Sequence, residues 1–111
     1  MLVKGATFKE NVSDIRNSKV ADVVKALQSY YVNVEVEDPH ADSDELKHEY
    51  GFGLVDKTGE DYDAVIITVP HSNYKELDEK YFAAITKPHA MIADLKGIYR
   101  NKIANRNYWS L

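Results

Sequence analysis

The stretch from Ala64 to Val69, with the sequence Ala-Val-Ile-Ile-Thr-Val, constrains the fold of this chain more than any other. Successive side chains of a strand point to opposite faces of a sheet, and here both faces would be apolar. This pattern is typical of parallel strands that are buried under helices on both sides. The stretch therefore predicts a central strand of an α/β fold.

The segments around this stretch alternate between strand and helix patterns. The predicted strands cover residues 1–4, 32–37, 64–69 and 90–93, with a weaker candidate at 52–55, and the predicted helices cover residues 17–30, 42–50 and 72–85. Strands that alternate with helices favour a parallel sheet covered on both faces. We predict a three-layer α/β sandwich, with a mainly parallel, Rossmann-like sheet of about five strands, as a single domain over residues 1–111. The aromatic end of the chain, residues 108–111, is expected to pack against this domain.

Composition excludes several classes of function. The chain has no cysteine and a formal net charge of −4. It therefore has no disulfide, thiol nucleophile or cysteine-type zinc site, which fits a reducing compartment, and we expect a cytoplasmic protein. The net charge argues against a general nucleic-acid footprint, and no apolar run reaches the ~20 residues of a membrane span. Because Met1 lies almost directly on the first predicted strand, we expect a piece of a larger protein.

The loop after the first predicted strand is the main candidate for a binding site. Residues 5–18 read Gly-Ala-Thr-Phe-Lys-Glu-Asn-Val-Ser-Asp-Ile-Arg-Asn-Ser and lead into the first predicted helix, with Arg16 at its start. Lys9, Arg16 and the partial positive charge of a helix N-terminus would together suit a phosphate or another anion. The alternative is a solvated loop with two surface cations.

Other polar residues follow the remaining predicted strands, and the carboxyl ends of parallel strands share one edge of a sheet. These residues are Asp38, Pro70, His71, Asp94 and Lys96. Together with the first loop they predict an anion site with polar neighbours, not a complete catalytic set. The chain has no glycine-rich dinucleotide turn, no phosphate-binding P-loop and no Gly-x-Ser-x-Gly elbow.

Three of these features have simpler structural interpretations. His71 follows a strand-ending proline, and a role in the turn or at a helix start is the simpler one. Residues 38–44 are rich in side-chain oxygens but lack the glycine and the final glutamate of a helix-loop-helix calcium site, so helix capping explains them more simply. The acidic residues between 60 and 63 are interpreted as a solvated face.

Residues 5–18 closely resemble the C-terminal domain of the UDP-glucose/GDP-mannose dehydrogenase family. Three further stretches agree in order, namely Asp38-Pro39, Tyr62 to His71, and Asp94-Leu-Lys-Gly97. The resemblance covers essentially the whole chain and is greatest to the bacterial branch that oxidises UDP-N-acetylhexosamines for surface polysaccharides. It implies that the chain belongs to an NAD-dependent enzyme that oxidises C6 of a UDP-sugar twice, from alcohol to carboxylate.

The resemblance also implies roles for single residues. Phe8 and Lys9 match positions that contact the UDP-sugar, and Arg16 matches an arginine that reaches the NAD held by another domain. Lys96 matches a substrate-contacting position that is arginine in UDP-glucose enzymes. Lysine there lacks the bidentate fork of arginine, so the contact would differ.

The catalytic machinery of the family is expected outside this chain. The dinucleotide turn, the nucleophilic cysteine and the catalytic lysine, aspartate and glutamate belong to its N-terminal and central regions. The resemblance therefore implies no catalytic and no metal-binding residue here, NAD held mainly by the missing regions, and a homodimer for the full-length enzyme. These residues would position the substrate.

Two other classes of function remain open at this point. A stand-alone binding or receiver-like signalling module also places an aspartate and a lysine at strand ends, as Asp38 and Lys96 would be. However, Thr7-Phe8-Lys9 stands where a receiver has its acidic cluster. The third alternative is a scaffold for oligomer assembly.

Overall fold

The computed structural model describes residues 1–110, so Leu111 and its predicted packing lie outside the described residues. The strands are β1 (Leu2–Lys4), β2 (Glu35–Glu37), β3 (Tyr62–Ile67), β4 (Thr86–Asp94) and β5 (Asn107–Ser110). The helices are α1 (Val20–Ser29), α2 (Ser43–Tyr50), α3 (Ser72–Lys75) and α4 (Glu79–Ile85). Strands and helices therefore follow one another largely in the order that the sequence predicts.

The strands form a single parallel sheet with the order β2-β1-β3-β4-β5. The predicted central strand is confirmed, because β3 pairs with β1 on one side and with β4 on the other. The order reverses at β1, since β2 lies to one side of it and β3 to the other. In open α/β sheets such a reversal brings neighbouring loops at the carboxyl ends of the strands around a crevice.

Helices lie on both faces of the sheet, which confirms the three-layer sandwich. Leu2 and Val3 are adjacent in β1 and fully buried, and they belong to different core clusters. One cluster joins Leu2 to residues of β3, β4 and α4, including Val65, Phe82 and Ile92. The other joins Val3 to residues of α1, α2 and β2, namely Val24, Leu46 and Val36.

The face that carries α1 is left partly uncovered over β4 and β5. Met91 is 44% exposed and Trp109 is 46% exposed. Together they help to line an open apolar depression of about 490 Å³, whose other lining residues are Val23, Ile66, Ala93 and Leu95.

Two element boundaries differ from the prediction near α1 and β2. The helix begins at Val20 instead of residue 17, because Asn17 has a φ of +59°, a left-handed conformation that a helix cannot contain. The strand begins at Glu35 and not at residue 32.

Residues 52–55 form no strand; Val55 instead donates one backbone hydrogen bond, of 2.8 Å, to Val36. The fifth strand is β5, which was predicted only as a packed aromatic segment.

The helix predicted over residues 72–85 is divided in two. Asp78 interrupts it and caps α4, accepting a 2.9 Å hydrogen bond from the N–H of Tyr81. β4 then follows α4 directly at Thr86 instead of beginning near Ala90. Pro88 lies inside β4 where the pairing with β3 is irregular, which is where a sheet tolerates a residue without an N–H.

Candidate functional site

Gly5 determines how the chain leaves β1. Its φ is +109°, and a Cβ added there would lie 2.8 Å from the backbone nitrogen and from the Cβ of Val69. Its N–H donates to the carbonyl oxygen of Glu37 at 2.8 Å, and its own carbonyl oxygen accepts from the hydroxyl of Thr68 at 2.7 Å. Only glycine can occupy this position between the ends of β2 and β3, so the backbone position at the start of the loop is fixed.

Asp38 lies at the end of β2 and its side chain is fully buried. Its Oδ2 accepts hydrogen bonds from the N–H of Ala6 at 2.6 Å and from Nε2 of His71 at 2.9 Å. Its Oδ1 accepts from the N–H groups of His40, at 2.7 Å, and Ala41, at 3.1 Å. Burial raises the pKa of Asp38, but the hydrogen bonds from His71, Ala6 and His40 outweigh it and leave the pKa below its usual value.

His71 is also fully buried and joins the ends of β2 and β3 to the first loop. Its Nδ1 lies 2.9 Å from the N–H of Asn11, and its Nε2 lies 2.9 Å from Asp38 and 3.3 Å from the hydroxyl of Thr7. Since Nδ1 faces a donor, it must be the unprotonated nitrogen, and the ring proton lies on Nε2. The simpler interpretation of His71, a role in the turn at a helix start, is confirmed.

The side chain of Asn11 completes this network. Its Oδ1 accepts from the N–H of Ser72 and its Nδ2 donates to the hydroxyl of the same serine, both at 2.9 Å. Asn11 has a φ of +60°, which asparagine tolerates better than most residues. We call this set the strand-end cluster; its members are Thr7, Asn11, Asp38, His71 and Ser72.

Phe8 and Lys9 project from the loop that this cluster holds. Phe8 is 54% exposed and Lys9 is exposed, although the backbone around them is fixed. The hydroxyl of Thr7 donates to the carbonyl oxygen of Lys9 at 2.8 Å, and the N–H of Phe8 donates to the carbonyl oxygen of Asp14 at 2.7 Å. Within residues 1–110 the Lys9 ammonium forms no ion pair, so its charge is available to a ligand.

Arg16 lies apart from the strand-end cluster, and its predicted place at the helix start is wrong. It precedes α1 by four positions, in a turn that Asn17 closes in a left-handed conformation. Its Nε donates to Asp14 Oδ1 at 3.1 Å and its Nη2 to Oδ2 at 3.3 Å, and these hydrogen bonds lower the pKa of Asp14. It borders an open depression of about 450 Å³, whose other lining residues are Ser13, Asp14, Ile15, Glu45, His48 and Glu49.

Asp94 has a structural role after β4. Its buried carboxylate accepts hydrogen bonds from the N–H groups of Ile98, at 3.2 Å, and Tyr99, at 2.8 Å, and from the hydroxyl of Tyr108 at 2.6 Å. Partial burial and the bond to Asp94 raise the pKa of Tyr108 to about 12. Lys96 is exposed on the turn that Asp94 caps after β4, and β3 separates that strand from β1, which leads into the loop of Phe8 and Lys9.

The sequence patterns do not predict a buried ion pair that the structure contains at the end of β1. The Lys4 ammonium donates to Glu37 Oε2 and to the hydroxyl of Tyr81, both at 3.0 Å, and Tyr74 donates to the same Glu37 oxygen at 3.0 Å. Residues 32–37 alternate between apolar and acidic, which predicts a solvated acidic face. Lys4 and Glu37 are register partners in neighbouring strands, and this cross-strand pairing of opposite charges is the feature from which the ion pair could be predicted.

The oxygen-rich segment at residues 38–44 serves the capping role that the sequence favoured. Asp42 caps α2, accepting from the N–H groups of Asp44 at 2.9 Å and Glu45 at 3.0 Å. Among the described residues no cluster of three histidine or carboxylate side chains has the geometry to hold a metal ion. None of the helices in residues 1–110 has the length and apolar character needed to cross a membrane.

Comparison with known proteins gives a consistent result. Residues 2–101 match the family model described as the UDP-glucose/GDP-mannose dehydrogenase family, UDP binding domain. The chain is 38% identical over 97 residues to a UDP-N-acetyl-D-glucosamine 6-dehydrogenase of Salmonella typhi, which covers 86% of this chain and 23% of that protein. It is 38% identical over 112 residues to Protein CapL of Staphylococcus aureus, covering 98% of this chain and 26% of that protein.

The fold is also found in a solved structure. A UDP-D-ManNAc dehydrogenase from Pyrococcus horikoshii superposes with a TM-score of 0.79 at 20% identity, over 98% of this chain and 24% of that one. The chain thus spans about a quarter of the length of the relatives it matches. From the family match and these identities, the chain belongs to the UDP-glucose/GDP-mannose dehydrogenase family.

Proposed function

We propose that this chain is the UDP-sugar-binding C-terminal domain of a longer, NAD-dependent nucleotide-sugar 6-dehydrogenase. Its substrate would be a UDP-N-acetylhexosamine or UDP-glucose, oxidised at C6 to the uronic acid for surface polysaccharide synthesis. The observation that carries the proposal is the loop of Phe8 and Lys9. It presents an exposed aromatic ring and an ammonium that forms no ion pair within residues 1–110, from a backbone held by hydrogen bonds. The match of residues 2–101 to a UDP-binding domain supports it.

The loop has the chemistry that a UDP-sugar requires. The Lys9 ammonium would act as a point charge for a phosphate or sugar oxygen, and the Phe8 ring would offer an apolar surface to the ligand. Because the backbone at Thr7 and Asn11 is already fixed, little ordering is left for the ligand to impose. Lys96 would contribute from the turn after β4.

These residues fit a supporting role towards NAD and not its main binding site. The sequence has no glycine-rich dinucleotide turn, and Arg16 is engaged by Asp14 in a depression that also contains Glu45 and Glu49. Arg16 would therefore contact the edge of a cofactor held by the N-terminal region. NAD held by the N-terminal region would supply the hydride-accepting chemistry, and residues of this chain would hold and orient the UDP portion of the substrate.

The catalytic groups of the proposed enzyme are expected outside this chain. The resemblance implies that oxidation from alcohol to acid would need a thiol nucleophile, and this chain contains no cysteine. We place the nucleophile and the acid–base groups in the N-terminal and central regions. A cytoplasmic homodimer is part of the same proposal.

We expect the chain alone to form no NADH from NAD and any UDP-sugar. Covalently joined to the N-terminal and central regions of a matching dehydrogenase, it should support NADH formation, which absorbance measures directly. The matched control is the joined enzyme with its nucleophilic cysteine replaced by alanine. NADH production by the 111-residue chain alone would contradict the proposal.

Lys9→Ala is expected to weaken binding of UDP by about 10- to 100-fold, which is the usual contribution of a hydrogen bond from a charged group. Isothermal titration calorimetry of the chain with UDP measures this directly. Lys25→Ala is the matched control, because Lys25 is equally exposed but lies on α1 away from the loop. Equal affinities of wild-type protein and Lys9→Ala would remove Lys9 from the site.

The receiver-like alternative is not favoured by the geometry at Asp38. A phosphoacceptor carboxylate must reach solvent and a phosphoryl donor. Asp38 is fully buried, and both of its oxygens already accept two hydrogen bonds each.

A further inference from the structure

We propose that His71 is a positioning residue that holds the loop of Phe8 and Lys9 in the shape that receives UDP. The inference rests on the proposed function and adds a residue to its site. His71 does not reach the ligand itself, because its side chain is fully buried. It acts through the 2.9 Å hydrogen bond between its Nδ1 and the N–H of Asn11.

The two ends of the loop are held by a connected pair of buried side chains. Asp38 accepts from the N–H of Ala6, where the loop begins, at 2.6 Å. His71 accepts from the N–H of Asn11, two residues after Lys9, at 2.9 Å. Asp38 and His71 are themselves joined by a 2.9 Å hydrogen bond. The four residues between these anchor points include Phe8 and Lys9.

The hydrogen bond to Asp38 sets the role of His71. By accepting from Nε2, Asp38 keeps the proton on that nitrogen and leaves Nδ1 as the acceptor that Asn11 requires. The rings of His40, 4.6 Å away between centroids, and Tyr74, 5.4 Å away, limit the rotation of the imidazole. The ring is therefore fixed both in orientation and in tautomer.

Fixing the loop in advance matters for affinity. Ordering a flexible backbone costs conformational entropy for every residue that becomes fixed. If residues 8–11 were free in the unbound protein, UDP binding would have to offset that ordering. A loop that is already held removes most of this cost, so loss of the Asn11 anchor should lower affinity without removing any ligand contact.

Two substitutions separate the two hydrogen bonds of His71. In His71→Gln the side-chain amide reaches the position of Nε2 and still donates to Asp38, but it offers no acceptor to Asn11. In His71→Asn the side-chain oxygen lies near the position of Nδ1 and still accepts from Asn11, while the contact with Asp38 is lost. Only the second substitution preserves the proposed positioning contact.

The test combines amide hydrogen exchange by NMR with a UDP titration of the same samples. In His71→Gln we expect exchange at Phe8 and Asn11, whose N–H groups are hydrogen-bonded, to become about tenfold faster and UDP affinity to fall about tenfold, with exchange at Val65 and Ile92 nearly unchanged. In His71→Asn both quantities should stay within about threefold of wild type. Asn11→Gly is the control: it keeps the N–H and the positive φ but removes the side-chain contacts with Ser72, so it measures how much those contacts contribute to loop protection.

Several results would overturn the inference. Loop exchange as slow in His71→Gln as in wild type would show that His71 does not hold the loop, and unchanged UDP affinity with a loosened loop would show that its shape is irrelevant to binding. Equal loosening of loop and core in both variants would mean a role in stability alone. A wild-type protein with a protected loop that fails to bind UDP would instead refute the proposed function.

A measurement on the unaltered protein covers the case in which the variants do not fold. The ¹⁵N chemical shifts of the His71 ring should show a neutral imidazole that is protonated on Nε2, with a coupling from Nδ1 to the Asn11 amide. A ring protonated on Nδ1 would be inconsistent with the proposed contact and would refute it.

Discussion

Gly5→Ala is expected to lower the free energy of unfolding by about 3–5 kcal/mol, enough to unfold a large part of a marginally stable domain. Two costs add together. The φ of +109° is unfavourable for any residue with a Cβ, and the new methyl group would lie 2.8 Å from the Val69 backbone nitrogen. Backbone atoms of a neighbouring strand end cannot move aside as a flexible side chain can. Urea denaturation followed by circular dichroism measures the change.

Gly51→Ala provides a control that separates strain from crowding. Gly51 ends α2 with a φ of +84°, but a Cβ added there would meet no atom within 4 Å. Its substitution should cost only about 1 kcal/mol, the usual penalty of a left-handed conformation. If the two alanine variants were equally stable, the close approach of β1 to Val69 would not be the reason that glycine is required.

Asp38→Asn is expected to destabilise the protein by about 3–5 kcal/mol at neutral pH. Each carboxylate oxygen accepts two hydrogen bonds, so an amide in either orientation turns its NH2 group towards two donors. Since the side chain is fully buried, water cannot satisfy those donors. Asp42→Asn is the matched control, because asparagine caps a helix as well as aspartate does and Asp42 is exposed.

The same substitution tests the titration of Asp38. The pKa of Asp38 in the folded protein lies below its ordinary value of 3.8, so the folded state favours the ionised form. Its stabilising contribution is complete above the unfolded pKa and is lost as the pH falls through the folded pKa. The difference in unfolding free energy between wild type and Asp38→Asn should therefore be constant from pH 7 to about 5 and shrink below about 4. A difference that stayed constant down to pH 2 would refute this assignment.

The sequence predicts the features of this fold that depend on local patterns. The apolar run at residues 64–69 predicts a central strand, because two apolar faces are typical of parallel strands buried under helices on both sides. Gly51 and Asp42 act as helix-ending and helix-starting residues through their own backbone and side chain. The exposure of Phe8 and Lys9 on the strand-end edge likewise follows from their place after β1.

Features that depend on distant partners are not visible in the sequence. Lys4 is buried because Glu37 and Tyr81 surround it, and both are more than thirty positions away. β5 is a strand only because β4 offers it a free edge, since its own four residues alternate weakly between exposed and half-buried positions. The place of Arg16 depends on the left-handed Asn17, a conformation that asparagine permits but does not require.

Trp109, in the uncovered depression beside β5, and the tyrosines give this protein two separate optical reporters. The single tryptophan, Trp109, is half exposed there and pairs only with β4, at the edge of the sheet. Buried tyrosines, including Tyr62, Tyr74 and Tyr99, lie in the core cluster on the opposite face. Tryptophan emission therefore reports the docking of the last strand, whereas tyrosine emission combines a signal from the core with one from exposed residues such as Tyr30 and Tyr31. Coincidence of the two signals during unfolding is a direct measure of whether the edge and the centre of the sheet melt as one unit.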